Sequence, residues 1–256
     1  MAKRMLFIAL VMALPPSMAG AQPAGRVVVT AVAPSERGYV DFNLGVQPTV
    51  TNFDVTIHPL TFVEPATVQT KYSVSSAREF DVGGGVFVLH GLAAGVSLSR
   101  FKKSDDSTVA AQVPHPFFFN RARTVSGTAP ALTRVENAIN LKGAATISAG
   151  AALRLTLSGG PTLFKITQDL VDDITINQTY PYDSATFGKA VVTNHSARGW
   201  GFNAGVDLTY LVTPHMGAGI AVGIARGKLD VGPDPAAALT LDAGGIRVGG
   251  GLRFRF

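Results

Sequence analysis

The stretch Trp200-Gly201-Phe202-Asn203-Ala204-Gly205-Val206-Asp207-Leu208-Thr209-Tyr210-Leu211-Val212 decides the fold. Its even positions are Trp200, Phe202, Ala204, Val206, Leu208, Tyr210 and Val212, and the odd ones include Gly201, Asn203, Gly205, Asp207 and Thr209. Strict alternation of apolar with polar or small residues means a β-strand with one face toward an apolar medium and the other toward a polar one. The pattern returns downstream, where Met216, Ala218, Ile220, Val222 and Ile224 alternate with Gly217, Gly219, Ala221, Gly223 and Ala225. At the end of the chain Ile246, Val248, Leu252, Phe254 and Phe256 alternate with Arg247, Gly249, Gly251, Arg253 and Arg255.

Five more strands fit the same template. They center on Val40–Val46, Phe80–Val88, Leu92–Leu98, Val135–Leu141 and Leu153–Leu157, giving eight in all. Gly159-Gly160-Pro161 interrupts the fifth of them, and Phe164 and Ile166 resume on the other parity, which predicts a β-bulge.

The rest of the composition narrows the setting. The chain has 256 residues, 28 of them Gly and none Cys, with 46% hydrophobic and only 15% charged residues. Lack of Cys excludes a disulfide scaffold, thiolate-held zinc and a thiol nucleophile. Lys3 and Arg4 precede the apolar run Met5–Leu14, and Ala19-Gly20-Ala21 is a small-x-small cleavage site. Residues 1–21 thus read as an export signal cleaved near Ala21, 22–35 as a short periplasmic segment, and 36–256 as one strand-built domain. Removing Lys3 and Arg4 lowers the formal charge from +5 to +3, which gives no support for a nucleic-acid partner. Mean hydropathy is positive at +0.26, yet beyond the signal no apolar run approaches the ~18 residues that a spanning helix needs.

Eight such strands form either a soluble sandwich or barrel with the apolar face inward, or a transmembrane barrel with that face outward to lipid. Three features favour the second. The non-apolar face mixes Asp41, Glu79, Asp81, Glu136, Lys142, Arg154, Asp207, Arg247, Arg253 and Arg255 with Gly and Ala, a set suited to a narrow, ion-paired interior. Connections alternate between long (about Thr49–Lys71, Lys102–Arg134, Val171–Ser196, Asp230–Ala236) and tight (around His90-Gly91, Ser148–Gly150, Thr213–His215), as extracellular loops and periplasmic turns do. Trp200 and Tyr210 share the apolar face, and at ~3.3 Å per residue and ~40° tilt they differ in depth by about 25 Å, the height of a lipid band with an aromatic girdle at each edge.

The ending Gly249-Gly250-Gly251-Leu252-Arg253-Phe254-Arg255-Phe256 resembles the C-terminal assembly signal of bacterial outer-membrane barrels, carried by Leu252, Phe254 and Phe256. With the eight strands and the export signal, the chain resembles the small outer-membrane barrel superfamily that includes the OmpA transmembrane domain and OmpW. The resemblance implies an eight-stranded antiparallel transmembrane β-barrel in the cell outer membrane. It also implies the outer-membrane assembly machinery and membrane lipid as partners, and a monomer. No activity comes with it.

Chemistry is sparse. His195 and Ser196 are adjacent, so on a strand they point to opposite faces and cannot act as a base and nucleophile. No His pair has metal-ligand spacing, and Asp169, Asp172 and Asp173 match no calcium loop. No catalytic residue, cofactor or metal is expected. The interior charges read as a salt-bridged plug, with Asp207, Glu79, Asp81 or Glu136 meeting Arg154, Arg247 or Arg253, or else as the lining of a narrow path for small solutes. Arg121 and Arg123, beside Phe117–Phe119 in the second long loop, are candidates to grip lipopolysaccharide phosphates. The leading reading is a structural or surface-interaction protein without catalysis; the alternatives are a narrow channel and a lipid A-modifying enzyme.

Overall fold

The computed structural model describes residues 37–231 and 239–256. The expected export signal over 1–21, the expected segment 22–35 and residues 232–236 of the fourth loop lie outside the described residues. The strands are β1 Gly38–Gln47, β2 Thr51–Ile57, β3 Leu60–Thr61, β4 Glu64–Pro65, β5 Thr67–Val74, β6 Ala77–Leu89, β7 Leu92–Pro114, β8 Ala122–Ala149, β9 Leu153–Asn177, β10 Thr186–Leu211, β11 Met216–Val231 and β12 Leu239–Arg255.

Eight of them close into an antiparallel ring, β1-β6-β7-β8-β9-β10-β11-β12. The seam is made by β1 on β12, from Tyr39↔Arg255 to Val46↔Val248. Closure gives the backbone donors and acceptors of the ring strands partners, which an apolar medium demands. Short turns join β6 to β7, β8 to β9 and β10 to β11; in the first two, Gly91 and Gly150 take the left-handed backbone (φ +75° and +76°) that L side chains disfavour. Both ends of the chain's ring lie at this turn end, where the Arg37 and Gly38 amides donate to the Phe256 carbonyl (2.5 and 2.8 Å).

Two sequence expectations need correction. The second and third long loops are mostly strand: β7 runs to Pro114, β8 begins at Ala122, β9 reaches Asn177 and β10 begins at Thr186. Part of the first is strand too, a β2–β5 hairpin whose β5 pairs with upper β7 from Thr67↔Gln112 to Lys71↔Thr108. The bulge predicted at Gly159–Pro161 is also not there. Pairing with β10 continues unbroken through Gly159↔Ala204, Gly160↔Asn203 and Pro161↔Phe202, and the β8 ladder skips Gly160 and Pro161 without a change of register. Phe164 and Ile166 keep the inward parity of Arg154, Thr156 and Ser158, and both are buried.

One cause explains both corrections: the strands invert their polarity partway along without changing parity. On β7 the outward residues are Leu92, Ala94, Val96 and Leu98, then Arg100, Lys102 and Ser104. Its inward residues are Ser97 and Ser99, then Phe101 and, further up, Val109, Ala111 and Val113. On β11 the outward series Met216, Ala218, Ile220, Val222, Ile224 gives way to Arg226, Lys228 and Asp230, while the inward glycines and alanines give way to Leu229 and Val231. The turn-end half therefore has an apolar wall and a polar interior, and the loop-end half has a polar wall and an apolar core. Val68, Tyr72, Val109, Val125, Leu132, Leu170, Val231 and Leu241 are buried in that upper core. Burial there raises the Tyr72 phenol above its ordinary value, and its oxygen accepts the Val171 N–H at 2.8 Å. From Leu98 to Pro114 the upper part of β7 rises roughly 40 Å, at ~3.3 Å per residue and ~40° tilt.

Candidate functional site

The lower interior is a charged chamber. β1, β6 and β12 alternate strictly, so Tyr39, Asp41, Glu79, Asp81, Arg247 and Arg255 all face it, joined by Lys142 from β8 and Asp207 from β10. A cavity of about 120 Å³ lies among them. Arg253, fully buried, bridges Asp207 and lies 3.8 Å from Asp41, while Arg255 reaches Asp41 at 3.2 Å and stacks over the Tyr39 ring at 4.9 Å. Arg247 meets Glu79 at 3.2 Å. The chamber thus brings together the pairs Asp207–Arg253 and Glu79–Arg247 that the sequence anticipates. Asp81 instead accepts from the Asn43 amide (3.2 Å), and Arg154 donates to the Gly150 and Ala151 carbonyls (3.2 and 3.4 Å) at the turn end.

Above the chamber buried side chains fill the interior. Arg134 and Glu136 are both buried, with Arg134 Nε donating to Glu136 Oε1 at 2.6 Å. The second Glu136 oxygen accepts the Gly244 N–H (2.8 Å), and Arg134 also donates to the Asp242 carbonyl. Beside this pair Phe164 lies across the bore. A Cβ added to Gly201, Gly227 or Gly244 would come within 2.8, 2.9 or 3.2 Å of its ring, so the three bare backbones form its seat. Phe101, Ala138, Ile166, Ala225, Leu229 and Ala243 are also buried at and above this level. The void left between Phe101, Glu136 and Phe164 is about 10 Å³, the threshold for one water. Sequence reading missed this closure because it assigned Arg134 to a loop. The signal was available: Leu132, Arg134, Glu136, Ala138, Asn140 and Lys142 share one parity.

The outer wall carries the other expected residues. Trp200 and Tyr210 both project outward, 65% and 59% exposed, opposite Leu163 and Leu153 respectively on β9. Phe202, Val206 and Leu208 lie between them on the same face. Leu252 and Phe256 are exposed on the wall, and Phe254 packs edge-on against Phe42 with ring centroids 6.1 Å apart.

Arg123 is a correction. Its side chain points inward and is buried, with its guanidinium donating to Gln178 Oε1 (2.7 Å) and to the Tyr182 and Pro114 carbonyls (2.9 and 2.7 Å). It clamps the β9–β10 tip onto the β7–β8 tip. Arg121 pairs with Asp183 at 2.9 Å and lies over the Phe118 ring. Along an idealised strand this cluster lies roughly 40 Å beyond the apolar wall. Arg123→Ala is expected to speed proteolytic cleavage between Gln178 and Thr186, with no effect on lipid binding; an unchanged cleavage rate would reject the clamp.

Of the residues suspected of chemistry, His195 meets an acid but not Ser196. The His195 ring nitrogen lies 3.4 Å from Asp172, whereas the Ser196 hydroxyl bonds Thr167 (3.1 Å) on the other face. Asp169 is engaged by Asn194 and the Thr133 amide, and no group of three potential metal ligands occurs among the described residues.

An apolar outer wall around a charged interior, closed into eight antiparallel strands, defines the transmembrane β-barrel, and single-chain barrels of this kind cross the bacterial outer membrane. No family model and no curated protein matches the sequence. Among solved structures, the chain resembles Neisserial surface protein A at 13% identity and a TM-score of 0.42, over 86% of this chain and 97% of that one. OprG of Pseudomonas aeruginosa aligns at 8% identity and a TM-score of 0.46, over 88% and 98%. The outer membrane protease OmpT of Escherichia coli aligns at 10% and 0.46, over 87% and 97%.

Proposed function

We propose that this chain is a sealed outer-membrane barrel that displays a rigid β-sheet tower on the cell surface and acts through structure and surface contact, without catalysis. The single observation that carries this reading is the filling of the bore by Arg134, Glu136 and Phe164, with two clusters of buried apolar side chains at and above their level. A conducting barrel needs a polar path from end to end, and an apolar core above the chamber gives ions no substitute for their hydration. The placement of Ser196 on Thr167, on the opposite face from the His195–Asp172 pair, supports a reading without a serine nucleophile. Outer-membrane lipid is the solvent of the lower wall, and the assembly machinery is the partner that places it there. The channel reading draws on the 120 Å³ chamber, which under this proposal is a dead-end pocket open only toward the turn end.

Planar-bilayer recording tests it. The purified barrel, shown folded by its heat-modifiable gel mobility, is expected to insert and give no resolved conductance steps in 1 M KCl. Reproducible single-channel steps would overturn the sealed reading in favour of the channel.

A further inference from the structure

The wall of β9 and β10 changes chemistry in ordered steps where the apolar belt ends. Residues paired across these strands share one face, and the outward pairs run Phe202↔Pro161, Trp200↔Leu163, Arg198↔Lys165, Ser196↔Thr167 and Asn194↔Asp169 from the belt toward the outside. The third pair sets two cations directly opposite each other. Like charges so placed are destabilising in the free protein. Both side chains are exposed, and neither has a carboxylate partner among the described residues. The acids nearest along the strands are engaged elsewhere: Asp169 by Asn194 and the Thr133 amide, and Asp230 of β11 by the Thr240 hydroxyl at 2.6 Å. The same row continues through Asn137 of β8 to Arg100 of β7, also outward. With strands ~4.8 Å apart, Arg100 stands roughly 10 Å from Lys165.

We infer that this row binds the phosphorylated headgroup of a glycolipid in the outer leaflet. Trp200 and Leu163 lie at the acyl level, Lys165 and Arg198 at the phosphate, and the hydroxyls of Ser196 and Thr167 at the sugar. An anion between the two cations turns their repulsion into two charge-assisted hydrogen bonds. The position at the edge of the apolar belt selects a membrane-anchored anion over a soluble one. This assignment rests on the outer-membrane placement proposed above, and it relocates the lipid contact from the tip cluster of Arg121 and Arg123 to the belt.

Trp200 is the single tryptophan of the chain and adjoins the row, so its emission reports occupancy directly. The full-length folded barrel in detergent micelles is titrated with bis-phosphorylated lipid A, with dephosphorylated lipid A and with inorganic phosphate. The expected result is a saturable emission change with bis-phosphorylated lipid A, at least tenfold weaker in Lys165→Gln/Arg198→Gln and unchanged in Lys189→Gln, an exposed cation higher on β10. Lys165→Gln alone should melt no lower than the wild type in lipid-free micelles, since it relieves the like-charge pair, while losing the added thermal protection that lipid A gives. Equal binding by the double variant, or equal binding of dephosphorylated lipid A, overturns the inference. The same response to inorganic phosphate at equal concentration overturns the lipid as its ligand. Insertion into phosphatidylcholine liposomes, read from a blue shift of Trp200, tests the membrane placement separately; a barrel that inserts yet ignores lipid A refutes only the inference made here.

Discussion

Glu136→Ala is expected to lower the unfolding free energy by about 3–5 kcal/mol, the cost of leaving a buried cation without its partner. Arg134 is 1% exposed, and its counter-charge is Glu136. The same substitution leaves the Gly244 N–H without its acceptor. Both losses fall on the closure, where the interior passes from charged to apolar and no bulk water reaches the stranded guanidinium. Glu136→Gln keeps one acceptor oxygen for two donors, Arg134 Nε and the Gly244 N–H, and turns an NH2 toward the other; it should lose less than the alanine variant but stay well below the wild type. A double change to Arg134→Met and Glu136→Leu removes both charges together and should recover most of the loss, because well-packed apolar replacements of buried pairs are often neutral. Urea titration of the barrel in liposomes, followed by Trp200 emission and gel mobility, measures all three. Equal stability of Glu136→Ala and the wild type would show that the pair does not hold the closure.

The second large effect belongs to Phe164. Truncation to Ala removes a ring seated against three glycine backbones, and such large-to-small changes cost about 3–5 kcal/mol. The upper end of that range applies here, since Gly201, Gly227 and Gly244 have no side chains to collapse into the space and their strands are held by the ring of hydrogen bonds. Phe164→Leu should cost less than half as much. The reciprocal change, Gly227→Val, forces β-branched bulk onto the same ring and is expected to impair folding even though Val favours strands. The equilibrium unfolding assay in liposomes checks each variant. A loss under 1 kcal/mol for Phe164→Ala would mean that the glycines serve strand curvature instead of the ring.

The eight ring strands were legible because each carries a period-two pattern in its lower half, and a period-two pattern survives whatever medium the apolar face meets. The direction of the faces was legible too: mixed charges among glycines on one face of Asp207–Thr209 and Arg247–Arg255 suit an enclosed space. The upper halves were hidden by the inversion. A reader following Leu153, Leu157, then Phe164, Ile166 sees the apolar residues change parity and infers a bulge, whereas the backbone continues and the surroundings change. For the same reason Val109 to Val113 and Val125 looked like loop apolars. Arg123 shows the remaining gap: beside Arg121 in sequence it suggests a basic patch, yet adjacent strand residues face opposite ways, and only the packing of Gln178 and Tyr182 reveals its acceptors. The Lys165–Arg198 row depends on register between strands that are 33 positions apart, which one strand's pattern does not encode.

The inversion also dictates which length changes this chain can survive. Inserting or deleting two residues at the crossover of a strand, such as between Leu98 and Arg100, restores every side chain to its proper face and only shortens or lengthens the tower. A single-residue indel there puts the upper apolar series into water and turns Arg100 and Lys102 into the dry core, unless an irregularity absorbs it. The three existing slips of that kind in the β7–β8 and β9–β10 hairpins, at Asp105/Ser107, Phe187/Lys189 and Val191/Val192, lie well above the crossover. Variation in length among natural forms of this protein should therefore come in even steps at the crossover and in any step at the tips.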